Sequence, residues 1–201
     1  MTKFYFDKDA ANKAIGFIEQ FITHTKGELS GKKLKLEDWQ KEIVGNIFGW
    51  KDKKTNLRKF RTVFIEVPRK NGKSTLCAAI GLYMLFADEE RGSEVYSAAG
   101  DRQQAGIVFE IAKGMILQSP ELSQRGKVFR NSIVNESKGN FYQAISADSK
   151  TKHGFNANCI IFDELHTQQN RDLWDVLVTS TGSRRQPLTI AITTAGYDKQ
   201  S

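Results

Sequence analysis

The stretch V67-P-R-K-N-G-K-S-T75 decides the fold of this chain. It ends in Gly72-Lys73-Ser74, as the phosphate-binding loop pattern G-x-x-x-x-G-K-[ST] does. Val67, however, stands where that pattern has its first glycine, and Pro68-Arg69-Lys70 replace the usual small residues. The stretch therefore predicts either a nucleotide site that lacks one glycine or a basic turn that contains Gly-Lys-Ser by chance.

The composition is that of one globular domain of 201 residues, with 39% hydrophobic residues and a formal net charge of +7. We expect a single domain over residues 1–201, with a helical lead-in over 1–60 and a core over 61–201. No apolar run is long enough to cross a membrane, so no membrane partner is predicted. The basic excess suits a nucleic-acid partner, because neutralising phosphates drives sequence-independent binding, although charge alone is weak support.

The cysteines and the densest basic cluster have structural interpretations. Cys77 and Cys159 both lie in apolar segments, which predicts buried thiols in a reducing compartment. His153, Cys159 and His166 are too loosely spaced to favour a zinc site. Residues 51–61 carry six basic side chains, and we interpret that cluster as a solvated loop between elements.

Hydrophobic periodicity predicts strands that alternate with helices along the chain. The predicted helices cover residues 8–25, 37–48, 74–86, 101–117 and 171–179. The predicted strands cover residues 62–67, 94–98, 159–162 and 188–193, with two or three more between 127 and 146. The strand over 62–67 is expected to be buried. This alternation favours an α/β domain around a mostly parallel sheet.

The opening loop lies between a predicted strand and a predicted helix, where a phosphate-binding loop has to be. A helix N-terminus there offers backbone N–H groups and a partial positive charge to a polyphosphate. Gly72 lets the backbone curl around an anion. Lys73 can reach the β- and γ-phosphates, and the Ser74 hydroxyl can ligate Mg²⁺.

A second motif, N158-C-I-I-F-D-E-L-H166, is an apolar strand that ends in paired carboxylates. Acidic residues at a strand's carboxyl end lie in the crevice where open α/β sheets bind ligands. Asp163 is predicted to hold Mg²⁺ through its water shell, and Glu164 to orient and deprotonate the attacking water. Together with the loop, this pair favours a nucleotide hydrolase over two solvated acids at a strand end.

Two further segments are compatible with that chemistry. Gln40, within L36-E-D-W-Q40, offers a donor and an acceptor that can read an adenine edge, although in isolation an exposed helix glutamine is the simpler interpretation. Thr193 ends the last predicted strand, and Thr194 and Gly196 follow it. These residues can sense the γ-phosphate, or can simply end the strand.

In this order, these motifs resemble the N-terminal ATPase domain of the large subunit of a tailed-phage terminase, the DNA-packaging motor. The similarity also includes F21-ITHTKGELSG31 and S97-AAGDRQQA105. It implies a P-loop fold of the additional-strand, catalytic-glutamate type, with ATP and Mg²⁺ as cofactors. It further implies a ring of usually five subunits on the capsid portal, acting on double-stranded DNA with a small-subunit partner in the infected host's cytoplasm. The isolated domain is expected to be monomeric and weakly active.

The resemblance also assigns roles to basic residues. Arg69 matches the loop arginine of the family and is expected to touch the γ-phosphate beside the catalytic Lys73 and Glu164. The expected nucleotide-binding residues are Gln40, Pro68, Arg69, Lys70, Asn71, Gly72, Lys73, Ser74 and Thr75. The candidates for a cation supplied to a neighbouring subunit are Arg125, Arg130 and Lys152.

The family's C-terminal nuclease, with its cluster of metal-binding carboxylates, is expected to be absent from these 201 residues. Two other functions remain open. A DExH-type helicase shares the glutamine motif, the loop and Asp-Glu-x-His, but it would need a second motor domain. A non-catalytic DNA-binding assembly module would not need both Lys73 and Glu164 in these contexts.

Overall fold

The computed structural model describes residues 2–146, 154–164 and 171–194. The strands are β1 (Phe4–Phe6), β2 (Trp50–Asp52), β3 (Thr62–Val67), β4 (Glu94–Ala99), β5 (Lys127–Val128), β6 (Ser132–Asn135), β7 (Asn140–Ser146), β8 (Ala157–Asp163) and β9 (Leu188–Thr194). The helices are α1 (Lys8–Phe21), α2 (Asp38–Gly49), α3 (Lys73–Phe86), α4 (Arg102–Leu117), α5 (Pro120–Ser123) and α6 (Asp172–Thr179).

The central sheet has seven strands in the order β3-β9-β8-β4-β7-β6-β5. The first five are mutually parallel, and β6 and β5 extend the sheet as antiparallel strands. The predicted α/β class with a mostly parallel sheet is therefore confirmed. Two or three strands were predicted between 127 and 146, and the structure has three there, β5, β6 and β7.

The strand order brings three distant segments to one edge of the sheet. In β9, Thr194 lies opposite Val67 of β3, and Ile192 lies opposite Asp163 of β8. Because parallel strands share one carboxyl edge, the loop after Val67, the acidic pair after Phe162 and the end of β9 are neighbours there.

The core forms around α3, which is apolar on all sides and buried from Leu76 to Phe86. Gly81 lets this helix approach the sheet, since a Cβ there would lie 3.1 Å from Ile161 Cδ1. Cys77 and Cys159 are buried free thiols, as predicted, and burial raises the pKa of Cys159 to about 12. No helix in the described ranges is long and apolar enough to cross a membrane.

Strand β3 is not the buried strand that its apolar sequence predicts. Among the strands of the described ranges it pairs with β9 alone, at the edge of the sheet, and Phe64 is 59% exposed. Periodicity reports apolar content but not a strand's place in the sheet, so the edge position was not predictable from this segment alone.

The basic cluster at 51–61 is in part the solvated loop that we predicted. Four of its six basic residues are exposed between β2 and β3, namely Lys53, Lys54, Lys59 and Arg61. Lys51 and Arg58 differ from the prediction. Residues 50–52 form β2, which pairs with β1. Arg58 is buried, pairs with Asp88 at 3.3 Å and stacks over the Phe48 ring at 5.0 Å. The long aliphatic stem and planar guanidinium of arginine allow such burial when a carboxylate is available.

Helix α1 ends at Phe21 rather than at residue 25. Its first turn is capped by Asp7, whose carboxylate accepts the Ala10 N–H at 3.0 Å. Beyond Phe21, Thr23 and His24 form β-bridges with Lys33 and Ser30, so the backbone of this segment pairs across a loop instead of continuing the helix.

Candidate functional site

The loop between β3 and α3 has the backbone of an anion-binding turn. Lys70 and Gly72 have φ angles of 67° and 71°, in the left-handed region. The Asn71 side chain donates to the Pro68 carbonyl at 3.1 Å and closes the loop. Because Gly72 caps α3 without a side-chain hydrogen bond, the first N–H groups of that helix face the loop.

Asp163 ends β8 directly beside this loop and is only 3% exposed. Burial and the neighbouring Glu164 carboxylate raise the pKa of Asp163 to about 6, although Lys73 and hydrogen bonding to Ser74 oppose that rise. Its buried Oδ1 atom has no hydrogen-bond partner among the described residues. A buried carboxylate oxygen without a donor is suited to a cation or to a water that a cation holds.

Glu164 lies at the centre of a cluster with Lys73 and Thr194. The Lys73 ammonium is 2.6 Å from Glu164 Oε1 and also donates to the Thr194 hydroxyl. That hydroxyl donates to Oε1 at 2.7 Å, and the Thr194 N–H donates to Oε2 at 3.1 Å. Partial burial favours the neutral acid, but the hydrogen bonds from Lys73 and Thr194 prevail and lower the pKa of Glu164. Glu164 is therefore ionised at neutral pH.

The backbone of Glu164 has a φ of 49°, which is uncommon for a residue with a side chain. A left-handed residue of this kind costs roughly 1–2 kcal/mol and persists when its surroundings hold it. Such residues are enriched at active sites, and here the conformation turns the chain directly after the buried Asp163.

Gln40 lies beside the loop but has a structural task as well. It is 8% exposed, and its Oε1 atom accepts the Glu37 N–H at 3.0 Å in the capping box that begins α2. Its Nε2 atom would lie 3.7 Å from a Cβ placed on Gly72. Gln40 is therefore not the exposed helix residue of the simpler interpretation, and the donor of its amide is the group nearest the loop.

The remaining predicted residues have different placements. Arg69 is exposed on the loop, and of the threonine pair it is Thr194 that contacts Lys73 and Glu164, while Thr193 is buried. Gly196 and Lys152 lie outside the described residues. Nothing in the sequence had indicated that Lys73 and Glu164 pair with each other, since their separation along the chain gives no signal of contact.

Arg125 and Arg130 lie toward opposite ends of the parallel strands. Arg125 lines a groove with Phe17 and Leu122, beyond the C-terminal end of α4. Arg130 lies between β5 and β6, at the carboxyl edge of the parallel strands, and lines a cavity of about 430 Å³ beside α4. Of the two, Arg130 is at the same edge as the P-loop, but several strands away from it.

Residues 38–201 match the family model described as "Terminase large subunit, ATPase domain". The chain belongs to this family. The large terminase subunit of Enterobacteria phage HK97 is 32% identical over 193 residues, covering 90% of this chain and 36% of that protein. The terminase large subunit of Lactococcus phage SK1 is 25% identical over 207 residues, covering 93% and 38%.

Solved structures of terminases agree with this assignment. The crystal structure of the HK97 large terminase has a TM-score of 0.77 and 26% identity, covering 91% of this chain and 37% of that one. The large terminase ATPase domain of Thermus phage P74-26 shares the fold, with a TM-score of 0.55 at 19% identity over 69% and 61% of the two chains. The chain spans little more than a third of the length of the HK97 and SK1 proteins.

The P-loop fold implied by the motifs is therefore confirmed, and β9 is the additional strand between the P-loop strand β3 and the acidic strand β8. The variant loop follows β3, β8 ends at Asp163, and Glu164 comes directly after it. The loop that lacks the pattern's first glycine has two left-handed residues, Lys70 and Gly72.

Proposed function

We propose that this chain hydrolyses ATP to ADP and phosphate, with Mg²⁺, to drive double-stranded viral DNA into a procapsid as the motor domain of a terminase large subunit. One observation supports this most. Lys73, Glu164 and Thr194, which lie on three different segments, meet within hydrogen-bonding distance at the N-terminus of α3. A phosphate-binding cation and a base that orients the attacking water are two of the groups that phosphoryl transfer to water uses, and the Thr194 hydroxyl bonds to both.

The phosphates would lie against the loop over residues 68–75. The N–H groups at the start of α3 and the Lys73 ammonium bind the β- and γ-phosphates, and Arg69, on the exposed side of the loop, stabilises charge on the γ-phosphate. The base would lie toward Gln40, whose amide nitrogen is beside Gly72. Lys70, Asn71, Ser74 and Thr75 complete the nucleotide-binding set.

The residues that would hold Mg²⁺ are Ser74 and Asp163. Their fit is supported by the buried Oδ1 of Asp163, which has no hydrogen-bond partner in the part of the chain that the structure describes, and by the hydroxyl of Ser74 beside the same carboxyl. The bound cation would neutralise part of the charge on the phosphates. It would also favour the ionised form of Asp163, which burial alone disfavours.

Glu164 is the proposed general base. Its bonds to Lys73 and Thr194 lower its pKa, which keeps the carboxylate ionised but makes it a weaker base while those bonds last. It can accept a proton from water only after the Lys73–Glu164 pair opens. Phosphates compete for the Lys73 ammonium and so release the carboxylate. Thr194 bonds to both groups, so it would change partners when the pair opens. This supports a coupling role for Thr194, and we propose the same role for Thr193 and Gly196.

The partners proposed here follow from family membership. They are duplex DNA, a terminase small subunit and copies of the same chain in a ring, of five by family resemblance, on the capsid portal. The site of action is the cytoplasm of the infected bacterium. Arg125, Arg130 and Lys152 remain candidates for the cation given to a neighbour, and the carboxyl-edge position of Arg130 favours it over Arg125.

Replacing Lys73 with alanine tests the proposal. We expect wild type to release phosphate from ATP and Lys73→Ala to bind nucleotide at least tenfold more weakly, because one charge-assisted contact is worth roughly 1.5–3 kcal/mol. Lys127→Ala, at an exposed pair with Glu136, is the control. Phosphate release that persists in Lys73→Ala would rule out this site.

Of the other two functions, neither is favoured by the family match over residues 38–201. A helicase should separate the strands of a tailed duplex in an ATP-dependent way. A packaging motor should instead be stimulated by blunt duplex and leave its strands paired. An assembly module without catalysis should show no phosphate release at all.

A further inference from the structure

Resting on the proposed function, we infer that a basic loop, residues 23–36, contacts the sugar-phosphate backbone of duplex DNA. Its exposed lysines are Lys26, Lys32, Lys33 and Lys35. We call this segment the basic loop.

The basic loop has a fixed backbone. The His24 N–H donates to the Lys32 carbonyl at 2.9 Å, and the Gly31 N–H donates to the His24 carbonyl at 2.8 Å. Gly27 and Gly31, with φ angles of 73° and 82°, make the two turns that this pairing needs. A backbone that is already ordered presents its side chains without further ordering cost on binding.

Both ends of the basic loop are anchored in the domain. The Thr23 hydroxyl donates to Gln118 at the end of α4 at 3.2 Å. At the other end, exposed and buried residues alternate along the chain. Lys33 and Lys35 are exposed, and Leu34 and Leu36, which follow them, are buried. This alternation fastens the segment to the core and directs the two ammonium groups to solvent.

The charges of the basic loop are not neutralised locally. Within the described ranges, none of its four lysines is within ion-pair distance of a carboxylate, and the loop holds one acidic residue, Glu28. Glu121 of α5 lies near Lys33. The basic cluster at 51–61 differs, because Lys51 pairs with Asp7 and Arg58 with Asp88.

Four ammonium groups on a fixed loop, none of them within ion-pair distance of a described carboxylate, suit a repeated anion. Lysine is a point charge that binds phosphate without a required geometry, which matches a motor that must hold DNA of any sequence. The basic loop also runs directly into α2, whose Gln40 lies beside Gly72 of the nucleotide loop. Contact with DNA there would occur on the segment that adjoins the nucleotide site.

The test neutralises the basic loop and compares it with a matched variant. In the first variant, Lys26, Lys32, Lys33 and Lys35 become glutamine. In the control, the exposed residues Lys3, Lys8, Lys53 and Lys54 become glutamine, so both variants lose four charges from +7. The control residues lie at the other end of α2, roughly 18 Å away for a helix of 12 residues.

Binding to a short blunt duplex is measured by fluorescence anisotropy from about 50 to about 200 mM salt. Each phosphate contact contributes about 0.9 to the slope of log Kobs against log salt, so the loop variant's slope should be shallower by about 3 to 4. Over that salt range wild type should lose about 100-fold more affinity than the loop variant does. The control should keep most of the wild-type slope, and thermal unfolding should be unchanged in both variants.

Equal losses in the two variants, no loss in the loop variant, or no duplex binding by wild type would each overturn the assignment. ATP hydrolysis is followed in the same samples and should be unaltered without DNA. If wild type binds duplex through the basic loop but releases no phosphate, the proposed ATPase function fails while the DNA contact stands.

Discussion

Replacing Glu164 with glutamine is expected to tighten ADP binding, because the Glu164 carboxylate holds the Lys73 ammonium at 2.6 Å. The Lys73 and Glu164 side chains are only 12% and 20% exposed, so water screens their attraction poorly. A pair of this kind contributes roughly 1–2 kcal/mol net, and nucleotide has to overcome that contribution before Lys73 reaches the phosphates. Glutamine weakens the pair, and the expected gain in ADP affinity is about 5- to 30-fold.

ADP is the right ligand because it has no γ-phosphate to be hydrolysed or to be repelled by Glu164. Dissociation constants are measured by calorimetry for wild type, Glu164→Gln and Glu136→Gln, the last being a surface glutamate in an exposed pair. A fourth variant, Thr194→Val, keeps the carboxylate but removes the hydroxyl that bonds to it at 2.7 Å. Thr194→Val should tighten ADP binding by a smaller factor than Glu164→Gln does, because the Lys73–Glu164 pair loses only the hydrogen bond from the Thr194 hydroxyl.

The Thr194→Val arm separates the ion pair from simple charge repulsion. If Glu164 acted on ADP only through its negative charge, Glu164→Gln would bind more tightly and Thr194→Val would equal wild type. ADP affinity that is unchanged or weaker in Glu164→Gln would refute the reasoning that nucleotide opens this pair.

Three further predictions concern stability and the loop. The pKa of Asp163 is 3.8 in the unfolded chain and about 6 in the folded chain, so between these values Asp163 is protonated to a greater extent in the folded chain. The free energy of unfolding should therefore fall as pH rises through that window. Asp163→Asn should therefore be more stable than wild type at pH 7, by about 1–3 kcal/mol in urea unfolding, and curves that run parallel at all pH values would contradict this. Arg58→Ala should lower the free energy of unfolding by about 3–5 kcal/mol, because it leaves Asp88 buried without its ion-pair partner. A decrease below about 1 kcal/mol in the same urea assay would contradict this. Gly72→Ala should weaken ADP binding about tenfold through its φ of 71°, whereas Gly16→Ala, in open space on α1, should not weaken it.

Much of the fold was predictable because its elements carry strong local signals. The predicted bounds of β3 and α4 nearly equal the observed ones. Helix α4 has a clear local signal, since its N-cap Asp101 accepts the Gln104 N–H at 2.9 Å. The edge position of β3 and the burial of Arg58 depend on partners far along the chain, Thr189–Thr194 and Asp88, and local periodicity contains no such information.

The residue types of the candidate site were predictable, but their contacts were not. Lys73 and Glu164 follow from motif spacing, and the structure adds their direct bond. Under the proposed function, this bond has to open before Lys73 can reach the phosphates. Gln40 was predicted to face the nucleotide, while its second task, accepting the Glu37 N–H, appears only once α2 is formed. The short distance between Gln40 and Gly72 also results from packing between two segments, and the sequence of neither segment indicates it.

The most direct test is phosphate release from saturating ATP by wild type and by Glu164→Gln under single-turnover conditions. Loss of a general base costs roughly 100- to 10,000-fold in rate, so Glu164→Gln should bind nucleotide at least as well as wild type and hydrolyse it at least about 100-fold more slowly. Phosphate release at the wild-type rate by Glu164→Gln would contradict the assignment of Glu164, and with it the site at the carboxyl edge of the sheet.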